Sequence, residues 1–250
     1  MNMYRFVEDE TQREILTADD LRGFFADPST GESGPVVAVG TSLEPEKLPL
    51  SFGDVEFQVR DVRGKEIGSY YVGAIEVIGA RDTEGGHGRT DLTISLGGYT
   101  LPYPYAGEIW RTWSHGPPVA SGAWKDLPAE AHRSWLHVVQ QAWFSAGHRA
   151  RVYGDADTYE IAGADLATID SFYCALGEAV NGPGGYLGSN PSALDDCLSN
   201  SGGGRRRLFR LVWRDFEVSR RNIDEDELSW AVEALRDGGV EIDISSDGDQ

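Results

Sequence analysis

The 250-residue chain carries 41 acidic and 22 basic side chains, a formal charge of −19 at neutral pH. Phosphate binding needs clustered lysine and arginine that release counterions, so this balance excludes a nucleic-acid groove built on bulk positive charge and disfavours an anionic membrane surface. A hydrophobic fraction of 40% with ten Tyr, nine Phe and seven Trp is enough for real cores, while only two cysteines, Cys174 and Cys197, exclude a disulfide framework and a four-cysteine zinc site.

The amino terminus, Met1-Asn2-Met3-Tyr4-Arg5-Phe6-Val7-Glu8, reaches charges before an apolar leader core can form. No stretch approaches the roughly 18 apolar residues of a membrane span, so the expectation is a soluble, cytoplasmic protein. Short alternating segments at 4–7, 36–39, 55–59, 70–77 and 92–96 are bounded by Gly, Pro or Asp and predict a β-rich, mostly antiparallel α+β domain. Arg63-Gly64 reads as a hairpin turn. The stretch 99–118, with four prolines and no period, predicts a long packed loop. Pro128 then opens a helix in which Trp135, Leu136, Val139, Ala142, Trp143 and Ala146 recur at helical spacing up to Gly147. These signals divide the chain into a first domain of unassigned role, 1–150, and a second, 151–250.

From about residue 152 the pattern alternates between strand and helix. Residues 158–162 predict a strand, and Asp170 is placed to cap a helix with Phe172, Tyr173, Leu176 and Val180 inward and Gly182 just past its end. A glycine-rich turn runs from Gly182 to Gly188. Asn190 is a good cap and Pro191 suits the first helical position, where its missing N–H costs nothing. The nearly continuous apolar run 208–213 predicts a strand buried on both faces. A further helix starting near Asn222, with Glu225 completing a capping box, buries Leu228, Ala231, Val232 and Leu235 before Gly238-Gly239. Residues 240–244 predict the last strand, followed by a frayed acidic tail. Three strands separated by helices imply a small parallel α/β sandwich.

At about 100° per residue, Leu194, Cys197 and Leu198 share one apolar sector, and Ser192, Asp195, Asp196 and Ser199 face the other way. The last helix repeats the theme, with Asp226, Trp230, Glu233 and Asp237 opposite its buried stripe. The first of these faces comes immediately after a glycine loop expected to display Tyr186. Residues 151–250 hold 20 acidic against 9 basic side chains, so the shorter part carries more of the acid excess.

The run Tyr186-Leu187-Gly188-Ser189-Asn190-Pro191-Ser192-Ala193-Leu194-Asp195-Asp196-Cys197-Leu198 resembles the signature of the barstar family of ribonuclease inhibitors. Tyr159-Glu160-Ile161-Ala162-Gly163, Val212-Trp213-Arg214-Asp215-Phe216 and Gly239-Val240-Glu241-Ile242-Asp243-Ile244 agree in order and spacing, so the resemblance spans roughly residues 152–245. It implies a barstar-like three-stranded parallel sheet with helices. It also implies an intracellular inhibitor that plugs the cleft of a small guanyl-specific, barnase-like ribonuclease with a carboxylate-bearing helix and the adjacent loop. Such an enzyme holds a phosphodiester with Arg, Lys and His, and its basic cleft therefore accepts a carboxylate set where phosphate would sit.

Under this resemblance Asp196 matches the family's principal phosphate-mimicking aspartate and Tyr186 its loop aromatic, while Gly188 and Asn190 shape the loop and start the helix. Ser192 stands where a second acid is common, and Asp195 where an aromatic or polar residue is usual. Counting back from Gly239 puts Ala234 at the last-helix acid position, with Glu233 and Asp237 nearby. Arg205-Arg206-Arg207 adds positive charge beside the expected interface. Two further readings stay open: an immunity protein or antitoxin for a dedicated toxin nuclease, and a binding module that keeps the barstar scaffold without inhibiting.

Enzymatic signals are weak. Five histidines, His87, His115, His132, His137 and His148, all precede residue 150. The spacing of His132 and His137 sets them about 140° apart on a helix, unsuited to one metal. Gly202-Gly203-Gly204 lacks the Gly-Lys-Ser/Thr ending of a phosphate loop. No catalytic residue, metal or cofactor is expected; a hydrolase in the first domain would need clustered His and acid side chains. The expected partner is a bacterial ribonuclease, with no nucleic acid and no membrane.

Overall fold

Alternating apolar residues turn one face of each amino-terminal strand inward, and in the computed structural model seven strands form one sheet. They are β1 (Tyr4–Glu8), β2 (Glu14–Ala18), β3 (Asp20–Arg22), β4 (Val36–Thr41), β5 (Leu50–Arg60), β6 (Glu66–Asp82) and β7 (Thr90–Ser95). The structure describes residues 2–25, 35–84, 88–97, 101–199 and 209–245. Strand order is β2-β1-β5-β6-β7-β4-β3, antiparallel throughout. The end strands β2 and β3 are separated in the chain only by Asp19, so the chain itself joins the two ends. There the Asp19 N–H donates to Val39 O at 2.8 Å and the Ser42 N–H to Thr17 O at 3.0 Å.

Phe57 of β5 centres the enclosed core, with the rings of Phe24, Tyr70, Phe6 and Tyr4 at 4.7, 5.0, 5.3 and 6.0 Å. Each such pair adds about 0.5–1.5 kcal/mol beyond the area it buries. The turn at Arg63-Gly64 forms as read: Asp61 Oδ1 accepts the N–H groups of Arg63 at 2.9 Å and Lys65 at 2.8 Å. The stretch expected as a packed loop instead contains a helix, α1 (Ala106–Trp113). Ala106, Ile109, Trp110 and Trp113 are its buried face, and the Trp110 indole donates to the Tyr70 hydroxyl at 2.8 Å.

Compact units divide at Gly116/Pro117 and not at 150/151. The reason is that α2 (His132–Ser145) packs on α3 (Ile169–Asn181), and Glu178 of α3 binds Gly122 and Trp124. Pro128 precedes one short 3-10 turn, Ala129–Ala131, before α2 begins.

In the second unit, β8 (Thr158–Ala162), β9 (Arg210–Arg214) and β10 (Glu241–Ser245) form a parallel sheet with β9 central. Parallel pairing requires crossovers; α3 and α4 (Pro191–Ser199) supply the first, and α5 (Phe216–Asn222) and α6 (Glu225–Asp237) the second. Trp213 of β9 anchors the core: it stacks on Phe172 at 4.9 Å and its indole donates to Ser219 Oγ at 3.0 Å.

Three local expectations are corrected. Thr168, not Asp170, caps α3, its Oγ1 accepting the Ser171 N–H at 3.1 Å while Ser171 closes the capping box. Asn222 ends α5 and does not start the last helix; Asp224 caps α6, accepting the N–H groups of Asp226 and Glu227. Strand β9 is not apolar on both faces. Leu211 and Trp213 point inward, while Arg210 and Arg214 point out and pair with Asp243 and Glu160. The expected Arg205-Arg206-Arg207 triplet, Gly202-Gly203-Gly204, His87 and the tail 246–250 lie outside the described residues.

Candidate functional site

Helix α4 forms because its ends and its stripe agree. Asn190 Oδ1 accepts the Ala193 N–H at 2.9 Å, its carbonyl accepts the Leu194 N–H at 2.9 Å, and Leu194, Cys197 and Leu198 are buried. Burial pushes the Cys197 thiol up to about 12, with Asp196 adding to the shift, so this cysteine is a packing residue. Ser192, Asp195, Asp196 and Ser199 are exposed, as the helical wheel requires.

Helix α6 buries Leu228, Ala231 and Leu235 and leaves Trp230, Glu233 and Asp237 in water, Trp230 at 56% exposure. The two helices pack together and enclose an open groove of about 560 Å³, lined by Pro191, Ser192, Asp195, Asp196, Trp230, Glu233, Ala234 and Asp237. Four of these eight residues carry carboxylates, and none is basic. Pockets of about 300–1,000 Å³ admit small ligands, so this groove has room for several side chains of a partner. Acid dominates its described lining.

Five sequence-expected residues, Ser192, Asp195, Asp196, Glu233 and Asp237, therefore meet in one place. Ala234 also lines the groove, with Glu233 beside it and Asp237 one turn on, so α6 supplies acid from positions flanking the one expected. Ser199 stands outside the lining and donates to Asp195 Oδ1 at 3.3 Å. Asn190 serves as the cap. Gly188 sits at φ +94° with its Cα against α4; a Cβ there would lie 2.7 Å from Leu194 N, so this position shapes the loop from inside.

Tyr186 is a correction. Its side chain is 2% exposed and not displayed to a partner. The ring lies edge-on to Phe144 of α2 at 5.5 Å, its hydroxyl is 3.3 Å from Ser189 Oγ, and burial raises its pKa. The exposed aromatic at the groove is Trp230, absent from the expected site residues although the wheel put it beside Glu233 and Asp237.

The two histidines of α2 sit in the core. His132 and His137 are buried in α2, and burial lowers both, His137 to about 4. Among the described residues no group of three or more His, Cys, Asp or Glu side chains is placed to hold a metal ion, and no helix is long and apolar enough to cross a membrane.

Residues 156–245 match the family model described as Barstar (barnase inhibitor), and both groove helices lie within the match. The fold of this region is the one that family implies, a three-stranded parallel sheet with helices. The match leaves the amino-terminal unit unassigned. No curated protein matches the chain.

Proposed function

We propose that the carboxy-terminal unit inhibits a small guanyl-specific, barnase-like ribonuclease in the cytoplasm by presenting the α4/α6 groove to its basic cleft. The observation that carries this reading is the exposure of Asp196 in a groove where Asp195, Glu233 and Asp237 converge, inside the region that matches a family of ribonuclease inhibitors. Carboxylates held on two packed helices are preorganised, so little side-chain ordering is spent when a guanidinium or ammonium arrives. The acid field also steers a basic enzyme toward the groove before contact.

The test is a titration of the full chain against RNA cleavage by several guanyl-specific ribonucleases. Stoichiometric loss of cleavage is expected with the cognate enzyme; undiminished cleavage by all of them at excess protein overturns the reading. The association rate should fall as salt is raised, because screening shortens the reach of the field. A rate indifferent to salt contradicts the electrostatic part.

A second reading, a binding module that keeps this scaffold without inhibiting, is favoured by the burial of Tyr186 and by Ser192 at the position of a second acid. It predicts a stable complex in which the nuclease still cleaves RNA. An immunity protein for one dedicated toxin nuclease would block that enzyme and leave the others active.

A further inference from the structure

We propose that residues 117–153, which precede the family match, form a clamp that positions loop 182–188, with Trp124 and Phe144 as its positioning residues. That the loop serves inhibition rests on the function proposed above; the clamp itself does not.

The loop rests on α3, and α3 side chains tie it to the segment 117–153. Beneath it, α3 carries Gly177, where a Cβ would lie 2.3 Å from Gly185 O, so the loop backbone lies directly on the helix. Two α3 side chains make these ties. Glu178, 6% exposed, accepts the Gly122 N–H at 2.6 Å and the Trp124 indole N–H at 3.1 Å with Oε2, and the Gly184 N–H at 3.3 Å with Oε1. One buried carboxylate thus holds the preceding segment with one oxygen and the loop with the other. Hydrogen bonds to an ionised acceptor are about twice as strong as neutral ones. The second tie is Asn181, whose Nδ2 donates to the carbonyls of Arg151 at 3.2 Å and Tyr186 at 2.7 Å while Oδ1 accepts the Tyr153 N–H at 2.8 Å.

An apolar contact completes the grip. Phe144 of α2 covers the Tyr186 ring and is itself 43% exposed. Every partner from the preceding segment, Gly122, Trp124, Phe144, Arg151 and Tyr153, comes before position 156, where the family match begins. The loop leads directly into Asn190 and α4, so its orientation sets where Asp195 and Asp196 stand.

The experiment compares full-length Trp124→Phe, Phe144→Ala and the ring-preserving Phe144→Tyr with the unaltered protein, with Val119→Ala as an exposed control in the same segment. Hydrogen exchange at the Gly184–Leu187 amides should speed up about tenfold in the first two and stay unchanged in the last two, as expected for the loss of one tie. Trp124 is buried; if its variant loses the whole fold, the half-exposed Phe144 decides. Unchanged loop exchange in folded Phe144→Ala overturns the clamp. Against a guanyl-specific ribonuclease inhibited by the unaltered protein, the variants with a loosened loop should inhibit about tenfold less tightly, and equal inhibition overturns the positioning role. If the unaltered protein inhibits none of the ribonucleases, the functional reading fails and the exchange result still decides the clamp.

Discussion

Acids outnumber bases in both units, yet the two arrange them differently. In the amino-terminal sheet carboxylates stand beside guanidiniums: Arg5 meets Glu14 at 2.9 Å, Arg89 meets Asp19 at 3.2 Å, and Arg81 meets the buried Asp91 at 3.3 Å. In the groove between α4 and α6, four carboxylates line one open surface, with no lysine or arginine among the described residues of the lining. Exposed ion pairs add about 0.2–1 kcal/mol each. Asp237, the last residue of α6, stands where a negative charge opposes the helix dipole. Net charge alone therefore says nothing about use. Local arrangement does, because acids gathered on one surface concentrate the field there.

The largest expected effect would break this contrast if it failed. Asp196→Ala should weaken binding to a cognate ribonuclease by about 2–5 kcal/mol, measured as an inhibition constant, since a buried charge contact in the complex is lost. Asp91→Ala should leave that constant unchanged and lower the denaturation midpoint, because the Gly40 N–H and Thr83 hydroxyl lose their acceptor. Equal effects on inhibition would erase the distinction between the two regions.

Acid sharpens the same comparison. Burial holds His137 down at about 4 when folded, below its ordinary 6.5, so the unfolded chain takes up the proton first. Its contribution is full above about pH 6.5 and is lost as the pH falls toward 4, a loss of roughly 3 kcal/mol by proton linkage. In the other unit burial pushes the Asp91 carboxyl up, but hydrogen bonds from Gly40, Thr83 and Arg81 outweigh it and leave it below the ordinary range. That contribution is full above the usual carboxylate value and is lost only at still lower pH. Exchange resolved by segment should show the carboxy-terminal unit loosening first on acidification, and His137→Phe should flatten its pH dependence.

Smaller effects follow. Gly177→Ala should lower stability by about 1–3 kcal/mol in chemical denaturation, since the new methyl meets the loop backbone, although alanine is the better helix former. Asp237→Asn should slow association with the nuclease about two- to threefold at low salt. An unchanged association rate would mean that this acid takes no part in steering.

Where local signals agreed, the sequence was readable. Asn190-Pro191 and the stripe Leu194, Cys197, Leu198 fixed α4 with its exposed acids, and the barstar-like order of elements fixed the parallel sheet. Where a long-range contact decided, it was not. Tyr186 looks displayed until α2 brings Phe144 over it. Helix α1 was hidden because its buried face is only Ala106, Ile109, Trp110 and Trp113, set in a proline-bearing stretch. Helix α5 offers just seven residues and one fully buried side chain, Ser219, so it left no periodic trace. The wheel set Trp230 beside Glu233 and Asp237, but only the packing of α6 on α4 brings it to the same groove as Asp195 and Asp196.

The closure of the amino-terminal sheet by its own chain carries a consequence for life at high concentration. An open seven-stranded sheet would leave two margins of idle amides and carbonyls onto which a neighbouring molecule could zip. Here, around Asp19, those groups are spent within the ring, as Asp19 bonds Val39 and Ser42 bonds Thr17. At that point of the margin, protection against an added strand comes from connectivity and not from like-charge repulsion, so it should persist even in brine.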